Sequence, residues 1–482
     1  MKTTLQFLFS CIFLLTALSS TAQVIGLIKD INPNAPHSYP QNLKIINNKL
    51  YFSANDGTNG GEWWESDGTT AGTKMFMDIN SGAGSSFPSN FTLLENKIYF
   101  TANDGINGSE LWVSDETVAG TKMLKDIRTG ADSSFPKLFT IYKNKLYFAA
   151  NENVFNTELF VTDGTESGTT IFKRINPNNS SNISNLIVFN NRLFFAADDG
   201  SGKALWSTDG TDTGTVKVQD IVPNEYVIYN SKLYFRAYDQ ANGSELWESD
   251  GTNAGTKLAL NINPGAESGA PNKMTIYNGL MYFSANNDVN NFELWSTDGT
   301  VAGTKIVKEI NPTTTGSNPF NLTVLNNLLY FTADDGSNKN KLWVTDGTET
   351  GTRTVEALNE GSDAINIAEM TAFNNNLIFR ASEENIGSEL YGTTGTLSVT
   401  NKNFSVLKLY PNPVKNTLEI NSNQIIHSVI IYNLNGQEVK REKFAHKKVK
   451  VYVKEIKSGI YFAKINSEKN VKTIKLIKLI KQ

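Results

Sequence analysis

One pattern recurs eight times in this chain of 482 residues and limits the folds open to it. Its clearest copies read Glu245-Leu246-Trp247-Glu248-Ser249-Asp250-Gly251-Thr252 and Glu293-Leu294-Trp295-Ser296-Thr297-Asp298-Gly299-Thr300. The aromatic anchor falls at Trp64, Trp112, Phe160, Trp206, Trp247, Trp295, Trp343 and Tyr391, at intervals of 48, 48, 46, 41, 48, 48 and 48 residues. A fixed period of this length means one supersecondary unit per repeat, stacked on its neighbours to bury a shared core. Each unit holds four β-branched or aromatic runs broken by Asn, Gly and Asp, as in residues 91–94, 97–102, 110–115 and 121–127.

Four strands in such a repeat are the size of a propeller blade. The chain is therefore expected to be all-β, with an eight-bladed β-propeller followed by a small Ig-like β-sandwich. Links within a unit are short, whereas the link after the fourth run is long (residues 80–88), which suits passage from an outer strand to the next inner one. The last unit lacks its own outer strand, and residues 24–31 supply a spare one, so the N-terminal strand is expected to close the ring and remove its open edges. The rival is an open or two-part solenoid, for which no cap is evident. The 41-residue interval traces to a shorter link around Val222-Pro223-Asn224-Glu225.

Expected domains are a signal peptide over 1–22, the repeats over 23–400 and a tail module over 401–482. Lys2, the apolar run 7–18 and the small residues Ser20-Thr21-Ala22 place cleavage between Ala22 and Gln23. No later run is long and apolar enough for a transmembrane helix. Cys11 is the only cysteine, and the apolar run continues past it, so it reads as signal-peptide filler. Disulfides, thiol catalysis and cysteine–metal sites are thereby excluded from the mature chain. Residues 402–482 carry 17 Lys and Arg against five Glu, a net of +12, and residues 3–401 carry −17. An acidic body argues against a nucleic-acid partner.

The recurring turn puts an aspartate at Asp67, Asp115, Asp163, Asp209, Asp250, Asp298 and Asp346, with Thr394 in the eighth copy and Glu116 replacing Gly in the second. An Asp that caps its own hairpin explains this repetition. The tryptophans all lie in the motif, which favours packing between blades over a sugar-stacking ring. A second set of turns carries Asp56, Asp104, Asp199 and Asp335, with Asn151-Glu152 and Glu383-Glu384 in related places. These turns share a face with the long loops and form the candidate ligand face, where Ca²⁺ is the cation considered. No other cofactor is expected. The motif Glu becomes Ala204 and Lys341 in two copies, so it is not a strict eight-fold ligand. His37, His427 and His446 are the only histidines, no nucleophile or metalloprotease motif is present, and no unit breaks the repeat as a catalytic site would. No catalytic residue is expected.

After residue 396 the period ends. Tyr410-Pro411-Asn412-Pro413, the Asn435-Gly436 hairpin, Gly459-Ile460-Tyr461-Phe462 and a Lys-rich end follow in order. This tail resembles the type A C-terminal sorting domain of the type IX secretion system. The resemblance implies export across the outer membrane of a Bacteroidota-type bacterium, the secretion machinery as partner, and release or attachment at the surface. Residues 62–396 resemble the bacterial repeat family named for Glu-Leu-Trp-x-x-Asp-Gly-Thr, which implies no settled activity. Three functions stay open: a surface or secreted scaffold binding glycan or protein, an exported polysaccharide hydrolase, and a structural envelope protein.

Overall fold

The computed structural model describes residues 24–33, 37–153, 156–287, 289, 291–313, 315–337, 340–355, 367–383, 386–394, 407–410, 414–432, 438–467 and 471–478. Its secondary structure is β throughout. Two compact units divide at residues 396 and 397.

The first unit contains eight four-stranded antiparallel sheets. The first sheet runs Gln41–Ile46, Lys49–Asn55, Gly61–Ser66 and Lys74–Met77, and the second begins at Ser89–Leu94. The next five begin at Lys137–Tyr142, Ser184–Phe189, Asn224–Tyr229, Asn272–Tyr277 and Phe320–Leu325. The eighth takes Ala368–Phe373, Asn376–Glu383 and Gly387–Thr394 from the end of the unit, and its fourth strand is Val24–Lys29. That strand pairs antiparallel with Gly387–Thr394, in a register that sets Val24 opposite Thr394 and Gly26 opposite Gly392. Each first strand lies beside the first strand of the next sheet, and the eighth lies beside the first.

The second and third strands bury both faces; Gly61–Ser66 is buried along its whole length. Side chains on one face meet the preceding sheet and those on the other meet the following one, so strict alternation of polar and apolar residues disappears. One core cluster joins Tyr51 and Trp63 of the first sheet to Phe100 and Trp112 of the second. Another joins Ile28, Phe373 and Leu390 of the eighth sheet to Phe52 and Trp64 of the first. Each motif aromatic packs in such an inter-sheet cluster, which accounts for its repetition. The short interval falls between Val216–Gln219 and Asn224–Tyr229, outside the strands.

The second unit differs from a pair of separate sheets. Its strands Leu407–Tyr410, Thr417–Tyr432, Glu438–Tyr452, Gly459–Ser467 and Val471–Lys478 form one hydrogen-bonded sheet. Strands of 16 and 15 residues are too long to stay flat in so small a core. The register between them shifts at Asn421 to Ile426. Leu418 and Ile420 before that shift share one core with Val429 and Ile431 after it, so the sheet folds onto itself.

Candidate functional site

Strand direction sends two kinds of connection to opposite ends of each sheet in the first unit. The Asp-Gly-Thr turns join third to fourth strands at one end. The Asn-Asp-Gly turns and the long loops share the other, where Asn55 N donates to Ser38 O at 2.8 Å and Asn103 N to Ser86 O at 3.0 Å.

In the Asp-Gly-Thr turns the Asp carboxylate accepts from the Thr two residues on. For Asp67, Asp115, Asp163, Asp209, Asp250, Asp298 and Asp346 the Thr N–H lies at 2.8–3.0 Å and the Thr hydroxyl at 2.6–2.7 Å. The hydroxyl of Thr69 then accepts from Gly72 N at 3.0 Å. Position 72 must be glycine, because a Cβ there would sit 2.1 Å from Asp67 Oδ1. Glu116, which replaces a turn glycine, has φ 69° and accepts from Asn47 Nδ2 and Tyr51 Oη. The Thr hydroxyl, then the Thr N–H, hold Asp67 below its ordinary value of 3.8.

At the other end, Asp56 accepts from Thr58 N and Asn59 N at 2.8 Å and from Asn59 Nδ2 at 2.8 Å. Asp104 repeats this with Ile106 and Asn107. Burial acts to raise both carboxyls, yet these hydrogen bonds together hold them low. Asp199 accepts from Ser201 and pairs with Lys217 at 2.9 Å, and Asp335 pairs with Lys341 at 2.5 Å. Glu152 pairs with Arg174. The candidate ligand carboxylates are therefore engaged by their own turns or by a nearby Lys or Arg, and the described residues hold no group of three acids or histidines arranged for a metal.

The long loops are clasped by a residue whose role was not evident from the repeat. Glu62, Glu110, Glu158, Glu245, Glu293 and Glu389, the first residues of the motif, are fully buried. Glu110 accepts from Ile127 N at 2.9 Å, Ser134 N at 2.7 Å and Ser134 Oγ at 2.6 Å. Glu62 does the same with Ile79 and Ser86. Glu389 reaches across to the N-terminal segment, accepting from Ile31 N at 2.9 Å and from Ser38 N and Oγ at 2.9 and 2.5 Å. Where the long loop is missing, so is the glutamate: Ala204 stands there, and Ile221 N donates to Gln219 O instead. The spacing of 17 and 24 residues from Glu to its partners, together with the paired loss of loop and Glu, was the available signal.

Burial pushes the Glu110 carboxyl up to about 7, against the hydrogen bonds from Ser134 and Ile127 that act to lower it. The other five shift the same way for the same cause. Between 4.5 and about 7 the folded chain thus keeps a proton at Glu110 that the unfolded chain has released. Stability contributed there is complete below 4.5 and lost as pH rises through 7. The turn aspartates act oppositely, losing their contribution as pH falls below 3.8 through their folded values. The thermal midpoint of the first unit is expected to peak at about pH 4–5 rather than above pH 7, measured by calorimetry across pH 3–9.

The sorting-motif residues lie in the second unit. Tyr410 ends the strand Leu407–Tyr410, and Gly459 opens Gly459–Ser467. Tyr461 is buried, and its hydroxyl donates to Lys457 O at 2.9 Å. Ala22, Gln23, Glu384, Pro411, Asn412, Pro413, Asn435 and Gly436 lie outside the described residues.

Residues 408–480 match the family model of the secretion system C-terminal sorting domain. The protein is exported, to a secreted or cell-surface location. No described helix is long and apolar enough to cross a membrane. No curated protein matches the chain. Among solved structures it is similar to a prolyl endopeptidase at 11% identity and TM-score 0.46, covering 91% of this chain and 56% of that one. It is also similar to a puromycin hydrolase at 10% identity and TM-score 0.41, covering 73% and 60%. A third likeness is to PorZ, a surface component of the type IX secretion system of Porphyromonas gingivalis, at 13% identity and TM-score 0.26, covering 91% and 75%. The chain thus spans less than two thirds of the two peptidases' length.

Proposed function

We propose that the first unit is an eight-bladed β-propeller closed into a ring by its N-terminal strand, and that the protein is a non-catalytic binding or adhesion scaffold. Type IX secretion in a Bacteroidota-type bacterium delivers it, after a signal peptide is removed between Ala22 and Gln23. Its repeats are of the Glu-Leu-Trp-x-x-Asp-Gly-Thr kind, and the long-loop face meets an extracellular glycan or protein.

The cyclic order of the first strands supports the ring. The use of the acids supports a non-catalytic role. A general acid or nucleophile must be free to meet substrate, whereas Glu62, Glu110 and Glu389 hold loop backbone, and Asp56 and Asp104 hold their own turns. The test is incubation of the purified mature chain with neutral and acidic polysaccharides and with peptide substrates. The expected result is no reducing ends and no cleaved peptide above blank; turnover lost on replacing one of these acids would contradict the reading.

The same hydrogen bonds leave these aspartates poorly suited to calcium, which takes about six to eight oxygens. The thermal midpoint is expected to be equal in excess chelator and in millimolar calcium, and a calcium-dependent rise would reverse that statement.

A further inference from the structure

We infer that the cavity lined by the first strands of the first five sheets, with Tyr39, Phe87 and Phe135 near its rim, binds a neutral oligosaccharide. This rests on the binding-scaffold reading and gives it a ligand class.

The three aromatics occupy one structural position, at the end of the long loop that leads into the first, second and third sheets. Their φ angles are 48°, 46° and 48°, in the left-handed region. The same position in the fourth, sixth and seventh sheets is Asn182, Ala270 and Asn318, at φ 47°, 45° and 46°. The loop therefore imposes this backbone whatever residue stands there. Asn adopts the left-handed region at less cost than bulky side chains do. Folding alone would favour Asn in every copy, yet three consecutive sheets carry an aromatic that is 53%, 59% and 55% exposed. Backbone strain combined with exposure marks a position kept for something other than the core.

Two of the rings are held from behind. Tyr39 stacks on His37 with centroids 4.8 Å apart and planes at 28°, and His37 Nδ1 accepts from Ser388 N at 3.0 Å. Phe87 lies against Gly61, where an added Cβ would come within 3.1 Å of the ring, while Phe87 N donates to Gly61 O at 3.0 Å. Tyr39, backed on one face by His37 and 53% exposed, has the form of a stacking platform for the C–H face of a sugar.

The strands that follow these aromatics line a cavity of about 480 Å³, within the range of small-molecule sites. Phe87 is three residues from Asn90 in its lining, a reach of at most about 11 Å. Asn90 Nδ2 donates at 3.3 Å to the carbonyl of Pro136, the residue after Phe135. Asn42, Asn90, Asn185, Thr92 and Thr140 are among its lining residues. Asn90, Asn185, Thr92 and Thr140 already donate to the carbonyls of Pro136, Pro223, Asn90 and Leu138, so it is their oxygens that can accept from sugar hydroxyls. The Tyr226 hydroxyl, buried and without a hydrogen-bond partner, belongs to another lining residue. Lys44 is the single charged residue of the lining among the described residues, which favours a neutral chain over a polyanion. Aromatics interspersed with amides also differ from the contiguous apolar patch that a protein partner would cover.

The test titrates the mature full-length chain with neutral oligosaccharides of glucose, xylose, mannose and N-acetylglucosamine, and with an acidic oligogalacturonate, by calorimetry. At least one neutral ligand is expected to bind. Tyr39→Asn, Phe87→Asn and Phe135→Asn together should weaken it at least about tenfold, with the thermal midpoint unchanged or raised, because Asn suits this backbone. Three results would overturn the inference: binding that survives the triple substitution, preference for the acidic ligand, or no oligosaccharide bound. In the last case, capture of a protein ligand by the same chain would leave the scaffold reading standing. Turnover of a substrate would strike the scaffold reading instead.

Discussion

Deleting residues 24–31 from the mature chain is expected to destabilise the first unit by about 5 kcal/mol or more. Ile28 and Ile31 are 8% and 4% exposed and sit in a core with Phe373, Leu390 and Trp64. Emptying two such sites costs about 2–5 kcal/mol each. The deletion also removes the pairing along Gly387–Thr394 and the bond from Ile31 N to Glu389. The buried Glu389 carboxylate then loses a donor, and an unpaired strand becomes an edge that recruits other chains. Calorimetry should show a lost or strongly lowered transition, and size-exclusion chromatography should show aggregates. A variant that unfolds at the wild-type midpoint would mean that the strand contributes nothing to the eighth sheet.

The second large effect is expected at Glu110. Glu110→Ala should lower stability by about 2–4 kcal/mol, because it strands Ile127 N and the Ser134 hydroxyl and leaves Ser134 N only the Ser109 carbonyl at 3.1 Å. Glu110→Gln keeps one accepting oxygen and places an amide N–H₂ against a donor, so about 1–3 kcal/mol is expected. Denaturant titration of both variants gives the comparison. Equal, small losses would show that the carboxylate is not what fixes the loop. Ala204 offers an internal contrast, since its sheet has the short link, in which Ile221 N donates to Gln219 O.

The strands were legible in the sequence because Asn, Gly and Asp punctuate every run, and the period aligned the copies. The spare strand at residues 24–31 was legible because its sequence matches the fourth run of the other units. The clasp was not. A glutamate beside a core tryptophan looks like a surface residue of a strand, and its partners lie 17 and 24 residues away in a Ser- and Gly-rich loop. Only the joint absence of Glu and loop at Ala204 hinted at the link. The exposed aromatics were missed for a related reason. Nothing local to Ser86-Phe87-Pro88 reports a left-handed φ at Phe87, which Gly61 and Glu62 impose from the neighbouring strand. In the second unit the strands were visible, but hydropathy does not register that one long hairpin bends so that a single sheet packs on itself.

The proposed closure of the ring is tested most directly by a disulfide across the pairing of the first and last strands. Val24 and Thr394 are partners in that pairing, and residues 23–482 contain no other thiol. Oxidised Val24→Cys/Thr394→Cys protein should carry an intramolecular disulfide, seen by mass spectrometry of linked peptides, and gain about 2–5 kcal/mol in stability. Free thiols under the same oxidation, or disulfides only between chains, would contradict closure by the N-terminal strand.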